Sequence, residues 1–123
     1  MTLVDRILLV LAGLAGLLGV AASAAAAHTS GGETLKSSAQ FLLFHAPLVV
    51  GLVALGAGGL ANRLVVRTAG AIVLVGLVLF SGDLALRALT GSPLFAYAAP
   101  SGGFALMAGW LLTAVVAFVP VRR

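Results

Sequence analysis

Cysteine is absent from this chain, which excludes disulfides and thiolate metal sites and leaves the redox compartment open. Charge is nearly as scarce. Three acids and seven bases make up 8% of 123 residues, too few to clothe a soluble domain of this size. No phosphate-binding glycine loop, paired carboxylates or nucleophile–base–acid set can be assembled, so an enzyme is not expected. The pI near 11.3 invites a nucleic-acid reading. The bases, however, stand singly at the ends of apolar runs, with no patch or interleaved aromatics, so no nucleic-acid partner is expected.

What is present is hydrocarbon. Hydrophobic residues make up 62% of the chain, and its mean hydropathy is +1.23. Four apolar segments, at about 7–27, 38–60, 66–89 and 101–119, each approach the roughly 20 residues that cross a bilayer core. The expected fold class is all-α: a polytopic four-transmembrane-helix bundle, one domain over 1–123. The first segment carries Ala22-Ser23-Ala24, which resembles a signal cleavage site. Its apolar run is longer than a signal core, and an uncleaved first span is expected.

Small residues recur every fourth position in two segments: Ala15, Gly19 and Ser23 in the first, Ala105, Gly109 and Thr113 in the last. That spacing lets a second helix approach closely where lipid removes the hydrophobic driving force. Ser30, Gly31 and Gly32 break the chain, and Glu33 then suits the positive end of the next helix dipole. Pro47 predicts a kink near His45. Trp110 falls mid-span and is expected to pack on a neighbour, whereas Tyr97 suits an interface.

Four spans put both termini on one side. Arg6, Arg63, Arg67, Arg122 and Arg123 fall there, against Lys36 and Arg87 opposite. The positive-inside rule then expects a multi-pass membrane protein with both termini cytoplasmic.

On the opposite side, His28, His45, Ser81, Asp83 and Arg87 form a candidate polar cluster. Counted from the ends of the apolar runs, His45 and Asp83 lie at comparable depth. One reading has these groups satisfying one another: Asp83 pairs with Arg87 at four-residue spacing, and His45 bonds a carbonyl or serine. The other is a proton, ion or small-solute site facing a water-filled cleft. A bis-histidine haem through His28 and His45 is disfavoured by their different depths, and zinc by the lack of ligand spacing. No cofactor and no metal are expected.

Several short motifs follow one another: Ala27-His28, Phe44-His45-Ala46, Leu79-Phe80-Ser81-Gly82, Ala88-Leu89-Thr90-Gly91, Gly102-Gly103 and Ala108-Gly109-Trp110. In order and spacing they resemble the YgdD/YwdK family of small bacterial inner-membrane proteins, domain of unknown function four-two-three, over roughly 19–118. The resemblance implies four membrane helices in the bacterial inner (plasma) membrane and brings no established activity, cofactor or substrate. The chain departs from that pattern in its short connection after His28. Leu42 also stands where the family often has glutamine, and Asp83 where serine is commoner. The leading expectation is a structural or accessory subunit packing in homo-oligomers or on a larger membrane complex. The alternative is a minimal transporter or ligand-binding protein using the His/Asp cluster.

Overall fold

The computed structural model describes residues 1–30 and 32–122. Among them are four α-helices and no strand: α1 (Leu3–Ala27), α2 (Glu33–Ala57), α3 (Arg63–Thr90) and α4 (Ala98–Val115). A 3-10 turn, Val116–Phe118, continues α4. Gly31, expected to help break the chain, and Arg123, counted among the terminal bases, lie outside the described residues. All four helices are long and apolar enough to cross a membrane, and the chain is a multi-pass membrane protein.

Local chemistry sets the helix ends. The Asn62 side-chain oxygen accepts from the backbone N–H groups of Leu64 and Val65 at 3.1 and 3.3 Å, capping the start of α3. Gly91 closes α3 in the left-handed conformation, with φ 77°. The fourth helix starts three residues before the apolar run predicts, at Ala98. Pro100 is tolerated there because first-turn N–H groups have no intrahelical acceptor. Pro47 has no N–H to offer Leu43, yet α2 continues past it to Ala57.

Both termini lie at one end, beside the α2–α3 turn. Arg67 near the start of α3 bonds Asp5 near the start of α1, and the Asn62 amide donates to the Pro120 carbonyl beyond α4. That end is called the terminal end below, and the other the far end. The helices pack in chain order, with α2 and α3 central, α1 against α2 and α4 against α3. Leu8, Ala12, Val49, Val53, Val73, Leu77 and Leu106 form the main core. Leu52, Ala61, Val66 and Ala69 form a second one. The outer faces of α1 and α4 are lined by exposed Val10, Leu17, Phe104 and Leu111, a surface that suits hydrocarbon and not water. An apolar groove of about 640 Å³ opens between α1 and α3, over Leu35 and Ser38 of α2.

Candidate functional site: the polar residues within the spans

Ser38 and Ser81 define the register of α2 on α3. The Ser38 hydroxyl donates to the Ser81 carbonyl at 2.7 Å, and the Ser81 hydroxyl returns a bond to the Ser38 carbonyl at 3.1 Å. Both side chains are buried, so each bond satisfies a group that lipid cannot. His45 stands seven residues beyond Ser38 toward the terminal end, about 10 Å along the axis. Asp83 stands two residues beyond Ser81 toward the far end, about 3 Å. The comparable depth expected for His45 and Asp83 is therefore incorrect. Depth counted from the ends of apolar runs ignores how far each helix extends past its run, and the serine pair shows that offset directly.

His45 is buried, and both of its ring nitrogens are engaged. Trp110 Nε1 lies 3.0 Å from His45 Nε2, and an indole N–H can only donate. Nε2 must then carry the lone pair and Nδ1 the hydrogen, which is donated to the Phe41 carbonyl at 2.7 Å. The two bonds thus select one tautomer of the imidazole. It stacks on Phe41 with ring centroids 5.7 Å apart and meets Trp110 edge-on at 5.8 Å. No lone pair remains for a metal or a transported proton unless the Trp110 bond opens. Trp110 does pack on a neighbour, through a hydrogen bond as well as its ring.

Asp83 is fully buried and doubly bonded. One carboxylate oxygen accepts from Arg87 Nε at 2.8 Å and the other from the Leu94 backbone N–H at 2.8 Å. The predicted pair with Arg87 is present, and the second bond ties α3 to the loop leading into α4. His28 is exposed at the C-terminal cap of α1, where its backbone N–H bonds Ala25. The five expected cluster residues therefore fall into separate sets: Ser81 with Ser38, His45 with Trp110, Asp83 with Arg87, and His28 alone at the surface. Among the described residues, no buried side-chain nitrogen or oxygen lacks a partner. No three His, Cys, Asp or Glu side chains gather there as metal ligands would.

Sequence reasoning overlooked the contact between the starts of α1 and α3. Arg67 Nε and Nη2 reach the two oxygens of Asp5 at 2.9 and 3.1 Å, and Nη2 also donates to the Thr2 hydroxyl at 2.7 Å. Asp5 is 1% exposed. A carboxylate buried in the first turn of an apolar helix requires a cation at the same end, and that requirement was the available signal. Of the predicted packing residues, Ala15 and Gly19 are buried, and a Cβ on Gly19 would come within 2.8 Å of the Leu43 side chain. Ser23 is exposed. Gly109 is buried against Val73, while Ala105 and Thr113 are half-buried. The Thr113 hydroxyl turns back to the Gly109 carbonyl of its own helix.

No curated protein and no solved structure matches the chain. The family model described as "Protein of unknown function (DUF423)" matches residues 19–103. That stretch contains the serine pair, His45 and Asp83, while Asp5 and Trp110 fall outside it. With well over half its length matched, the chain belongs to the DUF423 family.

Proposed function

We propose that this protein is a non-catalytic component of the bacterial inner membrane, a structural or accessory subunit that assembles with copies of itself or on a larger membrane complex. The observation that carries this reading is how the buried polar groups are spent. Ser38, Ser81, His45, Asp83 and Asp5 each bond a neighbouring helix, loop or turn, or a group bonded to one. A transporter or enzyme needs polar atoms left over for its cargo, and neither His45 nor Asp83 lines the groove between α1 and α3. The framework is built to stay as it is.

Much of the small-residue spacing on α1 and α4 is consumed within the molecule, at Gly19 against Leu43 and at Gly109 against Val73. Contact with other chains then falls to the outward apolar faces of α1 and α4. Crosslinking in native membranes, followed by mass measurement of the detergent-solubilised protein, tests the reading. A defined multimer or a stoichiometric partner is expected. A bare monomer with nothing crosslinked to it would sink the idea.

A further inference from the structure

Three arginines share one hollow at the terminal end. Arg63, Arg67 and Arg122, with Asn62, line a hollow of about 350 Å³ at the α2–α3 turn. The chain is folded to bring them there. Asn62 caps α3 through its side-chain oxygen and donates through its nitrogen to the Pro120 carbonyl at 3.2 Å. That bond lays the segment after α4 across the turn, and Arg122 follows two residues later beside Arg63. Arg63 is steadied by its Nε, which donates to the Gly56 carbonyl at 3.2 Å. Arg67 is steadied by Asp5.

The charges do not balance. Among the described residues, Asp5 is the one carboxylate bonded to any of the three arginines. Of the other two acids in the sequence, Asp83 is paired with Arg87 and Glu33 opens α2 at the far end. Among the described residues the hollow therefore carries a net positive charge, three arginines against the single carboxylate of Asp5. Its position at the ends of the spans is where a bilayer presents phosphate, and paired guanidinium forks match phosphate oxygens in geometry as well as charge.

We propose that this hollow binds a phosphate group, supplied by the headgroup of an anionic phospholipid in the adjoining leaflet. Arg63 and Arg122 contact it directly, and Arg67 adds charge while holding α1. Free inorganic phosphate shares this chemistry, so the test must separate the two sources.

The full-length protein is reconstituted in nanodiscs of phosphatidylcholine with increasing phosphatidylglycerol of the same acyl chains, and retained lipid is counted by native mass spectrometry. The parent is expected to prefer phosphatidylglycerol. The R63Q/R122Q variant should lose about 25-fold of that preference, roughly fivefold per arginine. K36Q removes one positive charge at the far end and should leave the preference intact. R122Q alone alters only the segment after α4, so it reports on the hollow even if the double variant folds poorly, with about a fivefold loss expected. Equal retention of the two lipids by the parent overturns the proposal, and so does a loss in K36Q matching that in R122Q, which would indicate bulk charge. Inorganic phosphate titrated against retained phosphatidylglycerol should compete only weakly; displacement at equal concentration would assign the hollow to the free ion and overturn the lipid assignment.

Discussion

The Trp110–His45 bond decides more than any other single contact in the spans, because it sets which imidazole nitrogen keeps its lone pair. Replacing Trp110 with Phe retains an aromatic ring but removes the N–H. The expected cost is about 0.5–1.5 kcal/mol in reversible unfolding from detergent or bicelles, the range of side-chain hydrogen bonds between membrane helices. In the parent protein, ¹⁵N spectra of the histidines should show the His45 ring protonated at Nδ1 and bare at Nε2, and W110F should release that preference. A His45 spectrum identical in the two proteins would refute the lock. The pairing of Asp83 with Arg87 was legible in the sequence because four residues separate the partners on one helix. The Trp110 contact spans 65 positions and depends on matched depth. His45 follows Glu33 by twelve residues and Trp110 follows Ala98 by twelve, so each lies about 18 Å below the far end of its helix. Apolar runs conceal that match, since α2 begins with the polar Glu33-Thr34-Leu35-Lys36-Ser37 and α4 begins before Pro100.

The α3–α4 seam shows what an element demands of its sequence. A Cβ on Gly102 would strike the Phe80 backbone nitrogen and lie 2.8 Å from the Gly76 carbonyl oxygen, neither of which can yield without moving α3. One on Gly76 would lie 2.9 Å from Leu106. Leu106 is thus a knob seated over a glycine, and the buried positions of α4 run Ala98, Gly102, Leu106, Gly109. Counting small residues every four positions found Gly109 but selected Ala105 and Thr113, because close-packed helices alternate small residues with large ones. Gly102→Ala should therefore destabilise by about 1–3 kcal/mol, the usual cost of forcing volume into a packed contact. Gly51→Ala, with nothing within 4 Å of the added methyl, should be neutral or slightly stabilising. Thermal unfolding of the two variants in one detergent compares them directly, and equal midpoints would show that the seam is looser than its geometry.

At the scale of the molecule, the four crossings were legible because bilayer thickness fixes the length of an apolar run, and no other property is so directly written in composition. The way the crossings are tied was less legible, because each tie joins distant positions. Thr2, Asp5 and Arg67 fasten α1 to α3, and Asn62 fastens the segment after α4 to the α2–α3 turn, both at the terminal end. These ties place Arg6, Arg63, Arg67 and Arg122 at the same end, where three of the arginines line one hollow. Carrying that charge across a membrane during insertion is costly, and Lys36 and half-exposed Arg87, the latter paired with Asp83, oppose it weakly. The terminal end should accordingly face the cytoplasm. The absence of cysteine makes this simple to check, since every introduced thiol reports alone. Thr2, Val121 and Ser92 are exposed, the first two at the terminal end and the last in the loop after α3. In intact spheroplasts a membrane-impermeant maleimide should label S92C and spare T2C and V121C, and all three should react once the membrane is opened. Labelling of T2C and V121C with S92C protected would invert the protein and move the arginine hollow to the outer leaflet. Labelling of T2C without V121C would break the shared end that the Asn62–Pro120 and Asp5–Arg67 bonds require.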